Sequence, residues 1–236
     1  MGYCIRAGLI AMALAALLPG SLVAAEQSTE RDAVSDAARE RITQALRDLD
    51  ERLVPDRIEA TPLQGIYRVQ VNGQIAHISG DGRYLIQGSI RDLETGASLS
   101  DNARADVRRE LLAEHGEDNM IVYRPDDGDV RHTVTVFTDI DCPYCRRFHQ
   151  RMDGYLERGI AVRYVQMPRA GAGSDSYDKA VSVWCADDRR AAMDRAKAGR
   201  DLPSRDCDNP VRDHLELART LGVRATPTIV TEDGAM

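Results

Sequence analysis

Apolar residues recur at helical spacing over Ser28 to Leu53, where Val34, Ala37, Ala38, Ile42, Ala45, Leu46, Leu49 and Leu53 share one stripe. Pro55 and Thr61-Pro62 stop that pattern. The period then drops to two. Ile66 to Val71, Gln74 to Ile78 and Tyr84 to Ile90 alternate, and the short turns Asn72-Gly73 and Asp81-Gly82 divide them. This predicts a meander of three strands. A helix follows over Ser100 to His115, capped by Ser100 or Asp101, with only Val107, Leu111 and Leu112 as an apolar stripe. A helix that is polar nearly all round suits a connection between two units. Beyond the Ile121–Tyr123 strand and the turn at Pro125-Asp126-Asp127-Gly128, the types alternate. A strand over His132 to Thr138, a helix over Pro143 to Arg158 ended by Gly159, and a strand over Ile160 to Met167 predict a parallel pair. Helical patterns over Tyr177 to Lys197 and Val211 to Leu221 and a strand over Thr228 to Thr231 complete the order.

The first 25 residues read differently. Arg6 is a positive n-region, Ala7 to Leu18 is apolar, Pro19-Gly20 breaks the run, and Val23-Ala24-Ala25 is a small-residue cleavage site. That is a secretory signal, shorter than the ~20 apolar residues a bilayer span needs. Its removal takes away Cys4 and Arg6, turning the net charge of −7 into −8 and leaving Cys142, Cys145, Cys185 and Cys207. An even cysteine count in an oxidising compartment suits two pairs. The acidic balance argues against a nucleic-acid partner. Aromatic residues make up only 5% of the chain, so its core is expected to be aliphatic.

The chemistry concentrates in Cys142-Pro143-Tyr144-Cys145, between a strand and a helix. A sulfur at a helix N-terminus faces unpaired N–H groups that favour a thiolate. Cys142 is therefore expected to be the exposed nucleophile, and Cys145, one turn on, the buried resolving thiol. Three other readings compete. Zinc needs a second close pair of ligands, which Cys185 and Cys207 do not make; a c-type haem needs His after the second cysteine, where Arg146 stands; a purely structural disulfide would close a ring too short to constrain the unfolded chain much. No metal and no cofactor is expected. Asp139 and Asp141 could tune the sulfur or relay protons, or simply end the strand. His149 could support the thiolate, or be a satisfied histidine. Met152, Met167 and Met193 read as core.

Phe137-Thr138-Asp139-Ile140-Asp141-Cys142-Pro143-Tyr144-Cys145 and Arg224-Ala225-Thr226-Pro227 resemble thioredoxin-fold oxidoreductases. With Ile86-Gln87-Gly88, Met120 to Tyr123, Val162-Arg163-Tyr164, Phe148-His149 and Val183-Trp184-Cys185-Ala186, they resemble the DsbC family of periplasmic disulfide isomerases over nearly all of the mature chain. The resemblance implies an α+β chain: a signal peptide at 1–25, a small cystatin-like dimerisation domain at 26–90, a linker with its helix at 91–130, and a thioredoxin-like α/β domain with a helical insertion at 131–236. It implies a V-shaped homodimer acting on misoxidised or unfolded periplasmic proteins, kept reduced by a membrane thiol donor of DsbD type. Cys142 and Cys145 would be the redox pair and Cys185 and Cys207 a structural disulfide. Thr226 and Pro227, the latter cis, would meet substrate together with Tyr144.

Two departures bear on this. One member of the family has Gly where Pro143 stands, and Cys-Pro-Tyr-Cys is also similar to DsbG-type proteins and glutaredoxins, although Trp184 with Cys185 and Cys207 favours the isomerases. The chain also stops at Met236, where the fold would add one more strand and a helix. The expectation is a chain that lacks the end of its catalytic domain. Net thiol oxidation, DsbG-like reduction and holding of unfolded clients are the alternative activities.

Overall fold

The computed structural model describes residues 34–126 and 128–236. The expected signal peptide and the start of the first helix lie outside the described residues. Among the described residues, no helix is long and apolar enough to cross a membrane.

Helix α1 (Asp36–Leu49) begins where the Ser35 side chain accepts from the Ala38 N–H. Its residues Ala38, Ile42 and Leu46, spaced by four, face inward. They cover an antiparallel sheet in chain order, β1 (Arg57–Ala60), β2 (Ile66–Val71), β3 (Gln74–Ser79) and β4 (Leu85–Ile86). The β2–β3 hairpin turns at Asn72 and Gly73, both at positive φ, the conformation an Asn-Gly turn favours. The core here is Ile42, Leu46, Ile58, Val69 and Ile78.

The sheet differs from the three-strand expectation in two ways. Strand β1 is a fourth member: four residues between prolines, with Ile58 alone fully inward, give too short a run to read as alternation. Strand β4 covers two residues rather than seven, its ladder ending at His77↔Ile86, and farther on the Ile90 N–H donates to Ser100 Oγ at 2.8 Å.

Helix α2 (Leu99–His115) is capped by Ser98, whose hydroxyl accepts from the Asp101 N–H. Ser100, an expected cap, is buried and serves Ile90 instead. The helix is not polar all round in place: Ala103, Val107 and Leu112 are buried, and Leu112 packs with Phe137 and Val165.

The second sheet runs β5 (Ile121–Tyr123), β7 (Ile160–Gln166), β6 (His132–Thr138), β8 (Thr228–Val230). Strands β6 and β7 are parallel, from His132↔Ile160 to Thr138↔Gln166; β5 and β8 pair antiparallel at the two sides. Between β6 and β7 lie two helices, α3 (Pro143–His149) and α4 (Met152–Leu156), where one was expected. The break falls at Gln150 and Arg151. There, Arg151 N–H bonds Phe148 O in a tighter turn, and Phe148 stacks on Tyr155 with ring centroids 4.7 Å apart. The next helical stretch also divides, into α5 (Asp175–Trp184) and α6 (Arg189–Lys197), because Asp188 caps the second piece through the Ala191 N–H. Helix α7 (Val211–Thr220) follows. The core lies on both faces of the sheet: Trp184, Met193 and Tyr164 in one cluster, Phe137, Val165 and Leu221 in the other.

Candidate active site

Strand β6 delivers the site. Its last residue, Thr138, leads into a turn held by Asp139, whose buried carboxylate accepts from the Asp141 N–H at 2.8 Å and from the Arg169 N–H and Nε at 3.0 Å each. Cys142 then stands at the N-cap of α3, with Pro143 in the first turn, where its missing N–H leaves no bond unmade. Helix α3 has only seven residues, so the N–H groups of Tyr144 and Cys145 near the sulfur matter more than any macrodipole.

Thr226-Pro227, joined by a cis peptide bond, lies over this turn. The Cys142 thiol donates to the Thr226 carbonyl at 3.3 Å. The Thr226 hydroxyl is buried and lacks a hydrogen-bond partner. Cys142 is only 1% exposed, which corrects the expectation of an exposed nucleophile. The Thr226 carbonyl sits against the very sulfur that the N-cap position turns outward.

The two thiols differ electrically. Burial pushes Cys142 up, but the donors that a thiolate there would meet, the Thr226 side chain, the backbone and thiol of Cys145 and the Tyr144 backbone, outweigh it, and its pKa falls below an ordinary thiol's. The hydroxyl of Thr226 thus has its acceptor once the sulfur is ionised. Cys145, also 1% exposed, goes the other way: burial raises its pKa against the Asp139 backbone, Lys197 and the Thr138 and Thr226 side chains. The two thiols of one site are thus tuned in opposite directions, the first towards the thiolate and the second towards the thiol.

Comparison with known proteins follows the same division. Residues 126–236 match the thioredoxin-like domain model, and residues 31–101 match the model of the disulfide bond isomerase protein N-terminal domain. The thiol:disulfide interchange protein DsbC of Escherichia coli K12 is 35% identical over 182 residues, 76% of this chain and 74% of the relative. The chain belongs to the DsbC family. DsbC of Salmonella typhimurium is 37% identical over 177 residues, 75% of this chain and 73% of the relative. A disulfide interchange protein from Neisseria gonorrhoeae aligns with 49% of this chain and 81% of its own at 33% identity and a TM-score of 0.43. As a DsbC-family protein, the chain is a thiol:disulfide interchange oxidoreductase.

In this family member the residues singled out from sequence separate into two groups. Cys142, Cys145, Thr226 and Pro227 come together. Tyr144 is beside them but points out, 65% exposed, with the Arg147 guanidinium 5.3 Å from its ring. Cys185 and Cys207 are bonded to each other (S–S 1.99 Å) and tie the end of α5 to the segment before α7. Asp141 pairs with Arg146 and Lys179, so both carboxylates of the turn are engaged in holding it. His149 faces Asp194 at 3.0 Å and Tyr164 at 3.1 Å, a satisfied histidine whose pKa burial lowers despite Asp194.

One residue escaped the sequence reading. Lys197 is 2% exposed, and its ammonium donates to Thr138 Oγ1 and to the Asp139 carbonyl behind Cys145. Its signal was its register: Lys197 stands four after Met193, on the apolar stripe of α6, where a cation is out of place.

Proposed function

We propose that this chain is a periplasmic protein disulfide isomerase. The observation that carries the reading is a pair of free thiols in one turn, Cys142 at the N-cap of α3 against the Thr226 carbonyl and Cys145 buried within the helix, with their acidities pushed in opposite directions. The Cys142 thiolate attacks a substrate disulfide, a Cys142–substrate bond forms, and the displaced substrate sulfur takes a proton from solvent. That freed thiol attacks elsewhere in the substrate. When a substrate thiolate finally displaces Cys142, the pairing has changed without net oxidation. Where the substrate stalls, Cys145 attacks the Cys142 sulfur instead and the substrate leaves reduced. The oxidised enzyme then needs two electrons from a thiol donor of DsbD type. Thr226 and Pro227 offer backbone groups to the bound peptide, Tyr144 offers an exposed ring, and the Cys185–Cys207 bond is structural.

The same reading assigns 26–90 to a dimerisation domain, 91–130 to a linker and 131–236 to the catalytic unit, and joins two copies through the first sheet. Tyr84, Leu85 and Ile86, exposed at the β4 edge, support that association. The cleft between two such copies would hold misoxidised or unfolded clients, which allows holdase activity beside the catalysis. The lowered Cys142 pKa favours a second use as a net oxidase, because a better leaving group makes a more oxidising site.

The test is recovery of activity from a scrambled-disulfide substrate. Wild type should restore it and Cys142→Ala should lose the effect by on the order of 10³-fold or more. An active Cys142→Ala protein refutes the assignment. A Cys142–Cys145 pair found mostly oxidised in cells favours the oxidase instead.

A further inference from the structure

Lys197 closes α6 beneath the active-site turn. Its Nζ lies 2.6 Å from Thr138 Oγ1, 2.9 Å from the Asp139 carbonyl oxygen and 5.8 Å from the Tyr164 ring centroid. Among the described residues, no carboxylate lies within ion-pair distance of it. A buried, hydrogen-bonded ammonium without a counter-ion is costly to keep. The charged and titratable groups facing it are Cys142 at the N-cap of α3, Cys145, Arg146 and His149 within α3, Asp139 from the turn and Tyr164 from β7; of these, Cys142, Cys145 and Asp139 favour its charge and Arg146 opposes it. Burial pushes Lys197 down to about 8, with Cys145, Asp139 and Cys142 acting against that and Arg146 adding to it. It therefore carries its charge at neutral pH. Thr138 and Asp139, which hold it, are also the residues that lead into Cys142.

We propose that Lys197 is a positioning residue for the resolving step: its buried ammonium, anchored on Thr138 and Asp139, stabilises the Cys145 thiolate and sets how fast Cys145 breaks a mixed disulfide on Cys142. The proposal rests on the assignment of Cys142 as nucleophile and Cys145 as resolving thiol. In the step, the Cys145 proton passes to solvent and Cys145 Sγ attacks Cys142 Sγ. The Cys142–Cys145 bond forms and the Cys142–substrate bond breaks. The electron pair leaves on the substrate sulfur, which is protonated from solvent. The enzyme dithiol is oxidised, the substrate is reduced, and Lys197 stays protonated throughout. A faster resolving step shortens the time a client has to reshuffle, so this one cation sets the balance between reduction and isomerisation.

The experiment reacts the full reduced chain with glutathione disulfide and follows both steps, Cys142 attack and release of the second glutathione. Lys197→Met fits an apolar side chain of similar length into the pocket; Lys197→Gln keeps a hydrogen-bond donor but removes the charge. Both should slow the release step about tenfold at pH 7 and move its pH profile to higher pH, while Cys142 attack changes less than about threefold. Unchanged release in either folded variant overturns the proposal, and so does equal slowing of both steps, which would mark a structural role. If wild type itself never attacks glutathione disulfide, the parent assignment fails instead.

Discussion

The two four-stranded sheets among the described residues share a strand count and little else. The first follows chain order, is covered by α1 and rests on five buried apolar residues; the second is threaded β5-β7-β6-β8 and is packed on both faces. Among the described residues, the candidate site sits on the second. The candidate site brings together a sulfur pair from the start of α3, a carbonyl and a hydroxyl from Thr226, and an ammonium from α6. Those groups are tens of residues apart, and only crossed strands between close-packed layers hold them together. A meander joins neighbours in sequence and cannot assemble such a set. What the first sheet has instead is an incompletely satisfied edge, with apolar side chains left facing out.

The largest effect that tests this division comes from deleting one core side chain in each unit. Phe137, fully buried in β6, should lose about 3–5 kcal/mol of stability when changed to Ala, and thiol exchange should fall with it. Ile42→Ala, fully buried under the first sheet, should cost about 2–5 kcal/mol there and leave the rate of Cys142 attack on glutathione disulfide unaltered. Thermal unfolding measured beside exchange rates separates the two. Equal loss of exchange in both variants would mean that α2 couples the sheets into one cooperative block, since Leu112 of α2 already packs on the second.

How much of this was legible in the sequence follows the same line. The Asn72-Gly73 hairpin, the parallel β6–β7 pair and the placement of Cys142 at a strand-to-helix junction are written locally, in turn chemistry and periodicity. The misses are non-local. Whether Ser98 or Ser100 caps α2 depends on Ile90, ten residues before Ser100, needing an acceptor. The breaks at Gln150-Arg151 and before Asp188 answer to ring stacking and to a cap that competes with a continuous helical pattern. Cys142 is buried by a carbonyl 84 residues away. The register of Lys197 against Met193 is local, but its partners Thr138 and Asp139 lie 59 and 58 residues away.

Acid gives a second, smaller contrast between the units, because each buries a histidine. His214, fully buried in α7, accepts from the Gln166 N–H at one ring nitrogen, lies 2.7 Å from the Asn119 carbonyl at the other, and is held neutral by burial with a pKa pushed down to about 4. The unfolded chain binds that proton near pH 6.5 and the folded one does not, so stability is level above that value and falls as pH drops towards 4. The loss reaches about 3 kcal/mol, with a slope of up to about 1.4 kcal/mol per pH unit. His77 in β3 is shifted in the same direction by burial and by Arg104 and Arg68. Urea unfolding between pH 7 and 4 should show a clearly shallower slope for His214→Gln than for wild type. An unchanged slope would move the acid-sensitive weakness to the first sheet.

The smallest effect on the fold should come from the edge of that first sheet. Leu85 is 45% exposed in β4, pairing only with Ile78 of β3 on its inner side. Leu85→Lys removes no buried contact and should change unfolding stability by about 0.5 kcal/mol or less. It should nonetheless place a charge where a second copy would add a strand, and so shift sedimentation from dimer to monomer. Cys142 attack on glutathione disulfide, a small substrate that needs no cleft, should stay as it was, while recovery of a scrambled protein should drop. If the variant remains dimeric, the exposed edge is not where copies meet. The contrast between a sheet built for chemistry and a sheet built for association would then have to rest on another face of the first unit.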